Sequence, residues 1–201
     1  MIGKTVLILA LAFLLMPLCA VAVNAEAVSI DVQDAFFSHL ENLKGQAFEG
    51  RVTVGGENDK TFSGNKLIMH VWKKDDNSLY IPFHVGENRS RTWIITKTGS
   101  GLQLKHDHRH SDGTHDEMTM YGGHTKDAGW EFAQAFPADL YSKEIFVKGG
   151  IPQSTENTWH MYIYPGKTFS YRLTREGREF RVDFDLTKPV TPPPLPWGHE
   201  E

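Results

Sequence analysis

"TFSYRLTREGREFRVDFDL", residues 168–186, reads as two strands joined by a tight turn. Phe169, Tyr171 and Leu173 alternate with polar residues, "REGR" turns, and Phe180, Val182, Phe184 and Leu186 alternate again. Successive side chains on a strand point to opposite faces, so each segment has one apolar and one polar face, as a half-buried antiparallel pair requires. The same period of two recurs upstream. It predicts strands at about 47–54, 61–72, 78–85, 91–98, 101–110, 114–121 and 157–164, ahead of 167–175 and 178–186. The connections "GGENDK", "KDDNS", "GENRS", "TGSG", "SDG" and "PGK" are turn sequences. About nine short strands with tight turns predict an all-β fold. The expected form is an antiparallel up-and-down meander closed into a barrel, with a packed sandwich as the alternative.

Working outward, Val32, Ala35, Phe36, His39, Leu40 and Leu43 recur at helical steps and predict one N-terminal helix at about 31–43. Ser29 or Asp31 can cap its start and Gly45 can end it. Residues 122–156 lack a clear period, carry Trp130, Phe132 and Phe136, and are expected to form an irregular cap with a short helix after Pro137. The proline-rich tail, 189–201, should adopt polyproline II, with Leu195 and Trp197 laid on the body or left free. No repeat is visible, and 26–188 is expected to be a single domain.

The first 25 residues read as a secretory signal peptide: Lys4, an apolar run, then Val23-Asn24-Ala25 as a small-residue cleavage site. Pro17 breaks the run and no basic cluster flanks it, which argues against a transmembrane span. A lipid anchor on Cys19 is disfavoured by Leu18 before it. Cleavage removes Cys19, the sole cysteine, so the exported chain would rely on its core rather than on disulfides. A domain of about 150 residues buries roughly 70% of its unfolded surface, enough for that. The expected location is periplasmic or secreted, with no transmembrane segment in the mature chain. The formal net charge of −4, with no basic run, disfavours nucleic acid as a partner. Oligomeric state is not legible.

The stretch "LKGQAFEGRV", residues 43–52, resembles the Gly-x-Trp-x-Gly opening strand of calycin barrels such as lipocalins and nitrobindin-like proteins. Phe48 stands where that pattern has Trp, and Gly45 is one residue out of place. A helix followed by a strand meander is similar to those families too. The resemblance implies a barrel with an internal ligand cavity. It carries no functional residue across.

"KHDHRHSDGTHDE", residues 105–117, is the stretch that bears chemistry. His106, His108 and His110 share a strand face with Leu102 and Leu104, and Lys105, Asp107 and Arg109 share the other. The leucine face is expected inward, so the three imidazoles should enter a cavity. A two-residue turn at Asp112-Gly113 would pair His108 with Glu117. A turn with Gly113 in a bulge would pair His108 with Asp116 and bring Met118 and Met120 onto the apolar face, leaving His115 and Glu117 outside. Burial of one face sets register, which favours the second. Turns at 55–60, 86–90 and 111–113 should lie at one end of the sheet, bringing His84, Arg89 and Arg91 to the same mouth. The predicted ligand-binding set is therefore His84, Arg91, His106, His108, His110 and Asp116. It suits a small amphipathic or anionic molecule.

Other readings of the cluster stay open. It can be a hydrogen-bonded polar group without a ligand, or a site for a divalent transition metal on His106, His108, His110 and Asp116. Three alternating positions span about 13 Å, while zinc–nitrogen bonds are about 2.1 Å, so one ion would take two of the histidines. A metal-dependent hydrolase or isomerase, with Asp116 or an ion-bound water as base, follows from that reading. An envelope interaction protein using the proline tail is a third. No nucleophile elbow, Walker loop or dinucleotide fingerprint is present, so no catalytic residue is assigned and non-enzymatic binding is favoured. His70, His124 and His160 read as ordinary strand or loop residues, and "NRS" at 88–90 as a glycosylation acceptor if the chain is eukaryotic.

Overall fold

The computed structural model describes residues 25–56 and 61–199; residues 1–24 of the expected signal peptide lie outside them. In chain order the elements are α1 (Ala25–Glu41), β1 (Ala47–Val54), β2 (Leu67–His70), β3 (Lys73–Lys74), β4 (Ser78–Val85), β5 (Asn88–Thr98), β6 (Gly101–His108), β7 (Tyr121–His124), β8 (Ala133–Pro137), α2 (Leu140–Lys148), a 3-10 turn (Pro152–Glu156), β9 (Thr158–Tyr164), β10 (Thr168–Arg175) and β11 (Arg178–Val190). The sheet runs β7-β6-β5-β4-β2-β1-β11-β10-β9-β8, with the two-residue β3 paired to β4 off this path. All its pairings are antiparallel. Its two ends meet where Gly123 bridges Ala138 and the Asp139 N–H donates to the Gly122 carbonyl at 2.9 Å. The fold is thus the expected all-β up-and-down meander, nearly closed into a barrel.

Alternation builds the core. Phe169 pairs with Phe184, Tyr171 with Val182 and Leu173 with Phe180, all toward the interior. Phe48, Met69, Ile81, Trp93, Leu104, Met161 and Phe184 are essentially fully buried from strands around the whole circuit. Each such side chain contributes about 1.5–3 kcal/mol by leaving water. Gly50 is required beneath Phe184: a Cβ there would sit 2.6 Å from the ring. Helix α1 closes one end by inserting Phe36, Phe37 and Leu40 into the core. Gln33 bonds Thr125 there, and Asp34 pairs with Lys97 at 3.0 Å. The mouth is at the other end, where the β4–β5, β6–β7 and β10–β11 connections gather.

Five expectations change. Helix α1 begins at Ala25 rather than near 31, so Ser29 and Asp31, the expected caps, fall within it. The predicted strand 61–72 shortens to Leu67–His70, and 114–121 does not form. Asp116 N–H donates to His108 O, as the bulged register requires, but the next ladder bond is Met120 N–H to His106 O. Residues between loop out because side chains displace the ladder: Thr119 Oγ1 accepts the His108 N–H at 2.7 Å, and the Asp116 carboxylate accepts the Met118 N–H at 2.8 Å. Met118 packs against the core and Met120, at φ 56°, does not join it. Segment 122–156 supplies two sheet strands and a helix rather than a cap alone. Strand β11 overruns the start of the predicted tail, with Pro189 opposite Phe48 and Val190 opposite Ala47. The remaining tail lies on the body: Arg89 Nη1 donates to Leu195 O at 3.0 Å, and Trp197 N–H donates to Arg89 O at 3.1 Å. Among the described residues no helix is long and apolar enough to cross a membrane.

Candidate functional site

Strand β6 puts His106 beside Leu104 on the inner face, 3% exposed. Its Nδ1 lies 3.1 Å from the Tyr121 carbonyl and its Nε2 lies 2.8 Å from the Tyr171 hydroxyl. A carbonyl only accepts, so Nδ1 carries the proton and the Tyr171 O–H donates to Nε2. The ring also stacks on Tyr121 at 4.6 Å. Burial, helped by neighbouring His108, pushes the His106 pKa down to about 3. Burial likewise pushes Tyr121 up to about 12 and raises Tyr171 well above its usual range. All three groups are therefore neutral at ordinary pH.

One step nearer the mouth, His108 faces Arg91 across the β5–β6 pair. Its Nε2 lies 3.1 Å from the Tyr121 hydroxyl. Burial first, then the Arg91 charge, lower its pKa to about 4. His108 lines a cavity of about 300 Å3 with Asp116, Met118, Trp159, Tyr171 and Phe180. Phe146 of α2, Ile151, Ser154 of the 3-10 turn and Asn157 just after it complete one wall, and Phe62 another. Arg175 and Arg178, flanking the β10–β11 turn, stand at the rim. Arg175 donates to Ser154 Oγ at 2.9 Å, which ties the turn to the sheet. Its pKa is lowered by burial and then by the Arg178 charge beside it. Arg91 lies over the Phe62 ring at 5.7 Å. The site thus has apolar walls, neutral hydrogen-bonding groups deep inside and, among its described lining residues, Arg175, Arg178 and the Asp116 carboxylate.

The predicted set divides. His108 and Asp116 line the mouth cavity, Arg91 stands opposite His108 on the neighbouring strand, and His106 lies below with both nitrogens engaged within the core. His84 and His110 do not join them. His110 is exposed at the hairpin tip, beyond the rim. His84 follows inward Phe83 and therefore points outward, yet it is 3% exposed. The tail crosses that outer face, with His199 against Trp72 and 3.7 Å from Asp107. Asp107, also buried, pairs there with Arg109 at 2.9 Å. Burial, then His70 and Arg89, lower the His84 pKa to about 4. The expected metal cluster on His106, His108, His110 and Asp116 does not converge: among the described residues no three His, Cys, Asp or Glu side chains are placed to hold an ion.

Sequence reasoning missed Tyr171, Trp159, Arg175 and Arg178. Tyr171 and Arg175 were legible as inward positions of one alternating strand, in step with Phe169 and Leu173. Their meeting with β6 across the barrel left no local signal. Comparison with family models, with curated proteins and with solved structures finds no match to this chain.

Proposed function

We propose that this chain is a calycin-like, small-molecule-binding barrel that holds an amphipathic anion in the cavity at its mouth. The observation that carries the reading is the pairing of an apolar cavity of about 300 Å3 with a cationic rim. Pockets of this size class with a few convergent polar groups are the usual form of small-molecule sites. Two larger surface grooves, of about 560 and 600 Å3, run along β1 and each has one aromatic side chain among its described lining residues. Their walls are more polar than those of the mouth cavity. In the proposal the apolar part of the ligand enters toward Trp159 and Tyr171, and its head stays near Arg175 and Arg178. The leader read in residues 1–25 adds the proposal that this happens outside the cytoplasm, in the periplasm or the medium.

The test is ligand-observed NMR with a set of small amphipathic carboxylates and sulfonates. Wild-type protein should give saturable signals, and Met118→Trp, which fills the cavity from the rim, should abolish them. Signals that persist unchanged in Met118→Trp, or that no compound gives, would overturn the reading.

A further inference from the structure

We infer that residues 191–199 form a releasable strap that clamps two turns of the mouth together and lifts in acid, whether or not the mouth binds a ligand. The segment "TPPPLPWGH" contains four prolines. Proline has no N–H, so this stretch cannot join the sheet as a further strand. Among the described residues its backbone is tied to the body at Arg89, near the start of β5: Leu195 O accepts from the guanidinium, and Trp197 N–H donates to the Arg89 carbonyl. Thr191, Pro192 and Pro194, ahead of these ties, are exposed and form the hinge. Proline stiffness keeps a lifted arm extended, so little chain entropy opposes its reseating.

The end of the arm reaches the β6–β7 connection. Gly198 and Gly113, at φ 76° and 85°, lie backbone against backbone, and a Cβ on Gly113 would sit 2.8 Å from the Gly198 Cα. His199 then meets Trp72 edge-on at 5.2 Å. The strap therefore bridges the β4–β5 turn and the 110–114 hairpin tip.

Its latch is built of histidines. His199 Nε2 lies 3.7 Å from the Asp107 carboxylate, which also holds Arg109 and His115. On the same covered face His84 of β4 stands near His70 of β2 and Arg89 of β5. Neither His84 Nε2 nor His199 Nε2 has a hydrogen-bond partner among the described residues. Charging a buried ring without a partner is costly, so the seated strap holds both rings neutral. Burial lowers both pKa values, that of His84 from 6.5 to about 4. For His199, burial and then the Arg109 charge outweigh the attraction of Asp107, and Lys73 of β3 adds to the repulsion. Lifting returns the rings to water, so protons favour the lifted arm. From His84 alone, seating should be about tenfold less favourable at pH 5.5 than at pH 7.5.

Amide hydrogen exchange by NMR tests this at pH 7.5 and 5.5, with each rate referred to its unprotected rate at the same pH. Protection of the Trp197 N–H should fall about tenfold at pH 5.5. Protection of the Gly113 N–H, bonded to His110 O at 2.9 Å, should fall with it. Ile163 N–H in the core should stay better protected than Trp197 at both pH values, which separates lifting from unfolding. His199→Ala should speed Trp197 and Gly113 at both pH values, and His84→Leu should remove most of the pH effect on Trp197. Equal Trp197 protection at the two pH values in the wild type would overturn acid release, even if His84→Leu fails to fold. Gly113 exchange unmoved by His199→Ala would overturn the clamp.

Discussion

Tyr171→Phe removes one oxygen from the interior and should cost far more than its size suggests. The hydroxyl lies 2.8 Å from His106 Nε2, and the opposite ring nitrogen is committed as donor to the Tyr121 carbonyl. Nε2 is thus a bare acceptor in a ring that is 3% exposed, and the variant leaves it without a donor or water. A buried polar group left unsatisfied costs about 1–3 kcal/mol. At a middle value of about 2 kcal/mol, and about 2–4 °C per kcal/mol for a domain of this size, Tm should fall by about 4–8 °C. Thermal melts followed by circular dichroism measure it. A cycle with His106→Leu should show coupling of about 1 kcal/mol, because either single variant already removes the bond. A Tyr171→Phe melt within 1 °C of wild type, with additive effects in the cycle, would refute the assigned donor and the inward placement of His106.

Three further outcomes follow from the same geometry. Burial holds His106 to about 3 and His84 and His108 to about 4, against an ordinary 6.5. As pH falls below about 6.5 the unfolded chain binds protons that the native one does not, so these groups contribute fully above that pH and progressively less toward about pH 4. Urea midpoints should drop between pH 7.5 and 5.5, with a slope reaching about 4 kcal/mol per pH unit near pH 5 if all three take part; a flat or rising profile would contradict this. Deleting residues 191–201 uncovers the outer face of β2, β4 and β6, and should move the His84 titration by NMR from about 4 toward 6.5; an unmoved titration would show that the tail is not its cover. Gly50→Ala places a methyl 2.6 Å from the Phe184 ring and should cost about 1–3 kcal/mol by overpacking, read as a lower melt. An unchanged melt would mean the β1–β11 crossing is looser than described.

What was legible in the sequence follows from where burial falls on one face. In β10 and β6 one face is core and the other mostly polar, so Phe169, Tyr171, Leu104 and His106 announced their direction. In β4 both faces are covered, the inner by the core and the outer in part by the tail. "LYIPFHV" is accordingly buried or half-buried throughout, and His84 could be placed at the mouth only by assuming the wrong face. The strand expected at 114–121 failed for a different reason: Thr119 and Asp116 bond backbone groups locally, and nothing in the pattern of apolar residues records that competition. Arg175 and Arg178 bracket the "REGR" turn, and nothing in that sequence points to a distant partner. Their place at the rim depends on the 3-10 turn at Pro152–Glu156, far away in sequence, folding back to meet Arg175.

The account stands on the mouth of the barrel being the place where a ligand sits. A crystal structure of the protein with one of the small amphipathic carboxylates addresses it directly. The expected result is its apolar part against Trp159 and Tyr171, with its carboxylate near Arg175 and Arg178. Density for the compound along the β1 grooves or under the tail, with the mouth holding none of it, would contradict the central claim.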